Sequence, residues 1–431
     1  MLPRYRFPLY IAGAAAARTG DEMSGPALLL LGIAVTNSAS AGSALLSGIM
    51  ISAAVGGPVF GAMLDRSATP GRLLTGALAA YSAVLLAILL ILGHLPLPVV
   101  IATAVFGGLL GPALAGGWTS QLPRLVDSEK LPQANALDAM TYNFASLAGP
   151  ALAGATAILA GAAAGVVAAI ALIILALPAA WTLPKNLEAS RQRSETSVVT
   201  DLVSGFIAIV RARFLARATV TSVISYIGIG MLVTCSPLLG EEALGTTNSG
   251  TFLLAALAAA SLAANALVAK RPDSLRPDTT VLASTLVLAA ALLLAATVSP
   301  VPLFLAMVLA GAGAGPQLTA LFAVRHREAP ERLRGQIFTT GASLKITGYA
   351  VGAGIGGPIA TWSLSGSLLV AAGFEILAAA SYVAFTAADR GRGVRPRPTS
   401  KASTQGQRPA VLSRERVDQS LDKRGDDLGG L

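Results

Sequence analysis

Apolar residues fall into twelve long runs, at 8–36, 42–64, 73–93, 97–119, 138–160, 162–183, 215–238, 248–269, 279–298, 301–323, 336–361 and 364–387. Each is close to or above the ~20 residues that carry an α-helix across about 30 Å of hydrocarbon. Lipid offers no hydrogen bonds to the backbone, so runs of this length predict membrane-spanning helices. The first run starts like a secretory leader, with Arg4, Arg6 and then Ala14 to Ala17. Arg18, Asp21 and Glu22 follow and the run then resumes, which reads as an uncleaved first helix.

The connections between runs alternate in character. TNSASAG between runs 1 and 2 and GHLP between 3 and 4 carry no Lys or Arg, and GEEALGTTNS between 7 and 8 is acidic. The other set is basic: Arg66 and Arg72; Arg124 and Lys130; Lys185, Arg191 and Arg193; Lys270, Arg271 and Arg276; Arg325, Arg327, Arg332 and Arg334. Of 31 Lys and Arg, Arg18 and Lys345 are placed within helices, and the others, Arg217 at the edge of its run included, are placed on one side. The positive-inside rule then places both termini in the cytoplasm and the chain in the inner, cytoplasmic membrane. The longest internal connection, 184–214, separates an N-terminal bundle (1–183) from a C-terminal bundle (215–387), with 388–431 as a tail rich in Arg, Pro, Ser and Gly that reads as disordered. The expected fold is all-α and integral to the membrane, with twelve transmembrane helices in two six-helix bundles. The halves echo one another when Leu131 is aligned with Leu333: each has a Glu shortly before that Leu, a helix restart and a Gly-rich span.

Composition agrees. The chain is 54% hydrophobic and 12% charged, with a mean hydropathy of +0.68, about half the charge of a soluble domain. The net charge of +9 is accounted for by orientation and implies no nucleic-acid partner. The single cysteine, Cys235, excludes an intrachain disulfide and reads as a small packing residue. There is no Gly-Lys-Ser/Thr phosphate loop and no enzyme motif. His94 and His326 fall in connections on opposite faces, so neither a metal nor a cofactor is expected.

The end of helix 2 reads Gly61-Ala-Met-Leu-Asp65-Arg66-Ser-Ala-Thr-Pro-Gly71-Arg72. Gly61 permits close helix approach, Asp65 can accept from a neighbouring helix N-terminus or a basic group, and Arg66 and Arg72 can bridge to other helix ends. Such a cluster latches one face shut. It resembles the loop 2–3 signature of the major facilitator superfamily, a glycine followed four residues later by Asp-Arg and then Gly-Arg. The resemblance covers nearly the whole helical region and implies the major facilitator fold and secondary transport. The insertion Ser67–Pro70 departs from the family spacing and leaves the contacts of Arg72 open.

Arg18, Asp21 and Glu22 stand at i, i+3 and i+4 on helix 1 near the bilayer midplane. Charges there cost at least about 2.5–3.5 kcal/mol each. Two readings stand: Asp21 or Glu22 carries a coupling proton tuned by Arg18, or the trio is an ion-paired lock to a neighbouring helix. Lys345 in helix 11 and Glu375 midway along helix 12 either pair with each other, or Lys345 snorkels to the cytoplasm. Trp118, Gln121, Asn143, Tyr226 and Gln317 are candidate substrate-cavity residues by polarity and expected position.

Gly149-Pro150 with Gly154 is similar to the antiporter signature of drug-exporting members, without its upstream glycines. The stretch LPRLVDSEKLPQANAL followed by Asp138 is similar to loop 4–5 of bacterial exporters related to the enterobactin exporter and macrolide efflux proteins, with Arg124, Glu129, Asn135 and Asp138 matching. Many proton-coupled exporters carry an Arg in helix 4. This helix has none, so Arg18 takes that role or coupling differs. These resemblances imply a monomeric, proton-driven exporter of a small amphipathic compound. The alternatives are an importer of a nutrient or siderophore, and a non-transporting membrane sensor or assembly factor.

Overall fold

The computed structural model describes residues 6–186, 198–245, 249–272 and 276–391. Part of the expected central loop (187–197) and the expected tail beyond Gly391 lie outside the described residues. Six long helices form the first half: α1 (Arg6–Thr36), α2 (Ala39–Arg66), α3 (Pro70–Ile91), α4 (Leu97–Gly108), α5 (Leu131–Ala160) and α6 (Ala162–Trp181). A connecting helix, α7 (Val198–Arg211), leads to α8 (Arg213–Leu244), α9 (Ser249–Lys270), α10 (Pro277–Ala295), α11 (Pro300–Glu328), α12 (Arg334–Trp362) and α13 (Leu364–Gly391). The twelve long helices match the twelve runs in order. The end of the bundle that carries the basic connections is termed the basic end.

Local sequence sets the boundaries. Pro stands in the first turn of α3, α4, α5, α10 and α11, where its missing N–H costs nothing. The Ser38 side chain caps α2 by accepting from the Ala41 amide at 3.3 Å. Gly245 ends α8 at φ 79°, a conformation that a side chain would strain. Pro58 inside α2 removes one backbone donor, and the helix bends by 44° between Ala53 and Val55. The fourth span loses regular α-geometry after Gly108 and ends in a π-helical turn, Ala113–Gly117, with Pro112 just before it.

Among the described residues, nine helices are long and apolar enough to cross a membrane by themselves, and bent α2 is a tenth. The two long helices outside this set are α1 and α12. Their polarity has a reason: α1 carries Arg18, Asp21 and Glu22, and α12 carries Gln336, Lys345 and a series of glycines, and α12 packs on α2 of the other half.

Each half has its own apolar core. One is built on residues from Tyr10 to Leu183, the other on residues from Met231 to Ala372. The halves meet where α2 packs on α12 and where α5 packs on α9 and α11. The central connection departs from expectation, because 198–211 is helical rather than a loop. Apolar residues at helical spacing on α7 bury one side. Ile209 packs against Leu215, Ala329, Leu333 and Ile337 at the turn between α11 and α12, while Phe206 and Val210 stay exposed.

Candidate functional site

In the first half, a buried ion pair joins α1 to α5. Arg18 Nη1 donates to Asp138 Oδ1 at 2.9 Å and to the Asp138 carbonyl at 3.1 Å. It also donates to Thr141 Oγ1. Arg18 Nη2 donates to Thr119 Oγ1 at 3.0 Å. Thr119 in turn donates to Asp138 Oδ2 at 2.8 Å, and the Tyr10 hydroxyl donates to Asp138 Oδ1 at 2.8 Å. The guanidinium lies 3.8 Å from the centre of the Tyr142 ring. Arg18 is 2% and Asp138 0% exposed. The partner of Arg18 is therefore Asp138, not the neighbouring Asp21 or Glu22, because α5 offers both a carboxylate and a carbonyl within reach of one guanidinium.

Asp21 and Glu22 are left without an ion pair among the described residues. Asp21 lies beside the Tyr81 hydroxyl of α3, which is 2.8 Å from Ser24 Oγ. Glu22 is exposed although it sits midway along α1. It lies beside Ser146 of α5, with Lys345 of α12 as the nearby cation. Gly149 explains the approach: a Cβ there would stand 2.7 Å from the Glu22 Cβ. Pro150 is exposed and Gly154 has open space around its Cα, so only Gly149 of that trio carries a close contact.

Lys345 neither pairs with Glu375 nor reaches out to the basic end. It is 9% exposed, and its Nζ rests 4.1 Å from the Tyr226 ring centre. Glu375 is fully buried and accepts from Ser225 Oγ at 2.9 Å. Gln317 Nε2 donates to Ser225 Oγ at 3.2 Å and to Thr285 Oγ1 at 2.9 Å. A polar thread thus crosses the second half from α10 to α13. Of the other cavity candidates, Trp118 sits inside the first half's core, edge-on to Tyr10 at 5.7 Å. Gln121 is buried at the end of the fourth span, bonded to Ser120 and Arg124. The Asn143 amide nitrogen is buried without a partner.

At the basic end, α2 is latched to α12. Asp65 Oδ1 accepts from the Gly335 amide at 2.6 Å and Oδ2 from the Gln336 amide at 2.8 Å. Those amides belong to the first turn of α12, where backbone donors lack intrahelical partners and the helix dipole favours a negative charge. Gly61 lets the backbones close, since a Cβ there would lie 2.4 Å from the Gln336 Cα. Further along, Ser343 Oγ donates to the Ala53 carbonyl at 2.6 Å, and the Gly57 amide donates to Ser343 Oγ at 3.2 Å. Arg72 stays out of this latch: its guanidinium sits 5.2 Å from the Trp181 ring within its own half.

Two residues assigned by sequence to a connection, Arg325 and His326, belong instead to α11 and are buried at 2% and 7% exposure. The α11 helix simply continues past its apolar run. The His326 ring is 4.4 Å from the Phe338 ring, and Phe322 bridges Phe338 and Tyr142. Asp138 stood only within the loop 4–5 resemblance, and its pairing with Arg18 depends on two segments 120 residues apart.

Comparison with known proteins adds a decisive match: the model of the Major Facilitator Superfamily covers residues 10–276. The chain belongs to the major facilitator superfamily. It is a multi-pass membrane transporter and not an enzyme, and it takes small-molecule substrates within a lipid bilayer. It is 28% identical over 350 residues to an uncharacterized MFS-type transporter, y4rN, of Sinorhizobium fredii, covering 78% of this chain and 83% of that one. Its fold matches the human organic anion transporter MFSD10 (TM-score 0.70, 15% identity, 89% of this chain and 100% of that one). It also matches a bacterial homologue of the iron transporter ferroportin in an outward-facing state (TM-score 0.69, 14% identity, 89% and 99%). The proton:xylose symporter XylE is similar at TM-score 0.66 and 13% identity, over 86% and 94%.

This geometry has two measurable consequences. Arg18→Ala or Asp138→Ala alone should destabilise the solubilised protein by about 3–5 kcal/mol, whereas Arg18→Met with Asp138→Leu should recover most of that loss; thermal unfolding of the three variants measures it. Asp65→Asn should weaken the latch by about 1 kcal/mol. The yield of a disulfide between Gly57→Cys and Ser343→Cys, in a Cys235→Ser background, should fall with it.

Proposed function

We propose that the chain is a proton-coupled exporter of a small amphipathic compound, working by alternating access between the halves 1–183 and 215–387. The observation that carries this reading is the pair Asp21 and Glu22. They lie midway along α1 and have no ion pair among the described residues: Glu22 is exposed, and Asp21 is half-buried beside Tyr81 of α3. A carboxylate in that setting can take up and release a proton, whereas one locked to an arginine stays ionised. Arg18 supports the exchange indirectly, by fixing α1 against α5 with Glu22 turned towards Lys345 of the second half and Asp21 towards α3.

The latch of Asp65 on α12 supplies the moving part. Its two hydrogen bonds can be exchanged for water when the halves rock, as expected for inverted or repeated bundles turning about a midplane site. The one-sided basic connections support a cytoplasmic location for this latch and for both termini. Export is favoured by the likeness of loop 4–5 and of Gly149-Pro150 to exporting members. The whole arrangement is built within one chain, which fits a monomer.

The test is transport in inverted membrane vesicles under an imposed pH gradient, across a panel of amphipathic compounds. Gradient-driven accumulation is expected, and absence of it over the whole panel would refute proton-coupled export. Accumulation that appears only in right-side-out vesicles would reverse the direction. Asp21→Asn with Glu22→Gln should abolish the dependence on the pH gradient while leaving counterflow exchange of substrate intact. Ser40→Cys, exposed in the connection between α1 and α2, should react with impermeant maleimide only from outside the cell.

A further inference from the structure

Arg325 is an uncompensated cation at the junction of the halves. Its Nε and Nη2 are buried and have no hydrogen-bond partner, and no carboxylate lies within ion-pair distance of it among the described residues. The neighbours recorded against it are rings, a glycine and another cation. From α12 come Phe338, whose ring centre is 5.9 Å from the guanidinium carbon, and Gly341. From α5 and α8 come Tyr142 and Tyr226, the neighbours with which its charge interacts. Lys345 on α12 is a second cation in electrostatic contact with it. On its own helix, His326 has no hydrogen bond to either ring nitrogen.

The pocket is also shaped for the guanidinium. A Cβ at Gly341 would stand 2.3 Å from Arg325 Nη2, so only glycine leaves that slot open. Asp138 holds Arg18 and Glu375 accepts from Ser225, and neither lies within ion-pair distance of Arg325 among the described residues. Glu22 faces Lys345 rather than Arg325. A buried charge without a partner costs more than its removal would, so a purely structural arginine here would have no stabilising role.

We infer that Arg325, flanked by Lys345 and Tyr226, is the seat for an acidic group on the transported compound, which makes the substrate an amphipathic organic anion. A planar guanidinium with free donors is suited to a carboxylate, sulfonate or phosphate monoester. The aromatic set Tyr142, Phe322 and Phe338 beside it supplies apolar surface for the rest of the molecule. The inference rests on the transport reading and narrows it to one class of substrate.

The experiment compares matched probes on the full chain in detergent: 1-naphthoate, benzenesulfonate and phenyl phosphate against 1-naphthamide, benzenesulfonamide and benzylammonium. The readout is the apparent Tm, because a ligand that binds only the folded state raises it. At least one anion should raise the Tm where its neutral or cationic counterpart does not. Arg325→Met should abolish that shift while leaving the unliganded Tm equal or higher, and Arg325→Lys should weaken the binding about tenfold. Gly341→Ala, which crowds the slot and keeps the charge, should also weaken it. Equal shifts with anions and amides, no shift with any anion, or an unchanged anion shift in Arg325→Met would overturn the inference. So would a marked loss of unliganded stability in Arg325→Met, which marks a structural arginine. Gradient-driven transport of cations or neutral compounds alone would overturn the anion assignment and leave the transporter reading standing. If the disulfide between positions 57 and 343 forms without blocking any transport, alternating access itself fails.

Discussion

The pairing of Arg18 with Asp138 is the constraint on which the rest of the first half depends. Either charge alone near the bilayer midplane costs at least about 2.5–3.5 kcal/mol. Together, with Thr119, Thr141 and Tyr10 bonded to them and only Arg18 Nε left without a partner among their side-chain atoms, they become a polar core inside an apolar bundle. The pair fixes the rotation of α1 against α5. One turn further along α1, that rotation turns Glu22 towards α12 and Asp21 towards α3. The local fit at Gly149 has the same origin, because α1 and α5 touch backbone to side chain there with no room for a methyl group.

The two halves are held together differently. Within each half an apolar core surrounds the buried polar contacts, and opening it would expose hydrocarbon. Between the halves at the basic end, the contacts are a carboxylate on two backbone amides, a serine shared between two helices, and glycine-spaced backbones. Such contacts can be traded for water at small cost. A transporter needs this contrast, since the bundles must stay intact while their mutual interface opens.

Charge is distributed unequally across the junction. Among the described residues, the first half contributes Asp21 and Glu22 without an ion pair, with Lys345 as the cation near Glu22, and the second contributes Arg325 and Lys345, neither within ion-pair distance of an acid. The polar thread of Thr285, Gln317, Ser225 and Glu375 lies within the second half and ends against α13, where Glu375 Oε2 is buried without a partner. The interior is therefore electrostatically asymmetric, although the two halves share one architecture.

The sequence by itself determined the membrane class and the all-helical transporter fold; twelve spans, one-sided basic connections, two halves and a latch at Asp65 are the expectations it supplied. The reason is physical: spans must be apolar for about 20 consecutive residues, basic residues are segregated by membrane topology, and the latch is a local motif whose partner is a helix terminus. What only the tertiary structure decided concerns partners. Arg18 has two acids within four residues on its own helix, yet it pairs with Asp138 on another, because a neighbouring helix places a carboxylate, a carbonyl and a hydroxyl around one guanidinium. Lys345 looked like a match for Glu375 by charge alone, but Tyr226 and Ser225 hold the two apart. Arg325 looked like one more basic connection residue, since hydropathy falls there, but α11 runs on past its apolar segment and carries it into the interior. Periodicity and charge segregation are written along one chain, whereas the choice of partner depends on how helices far apart in sequence are turned towards each other.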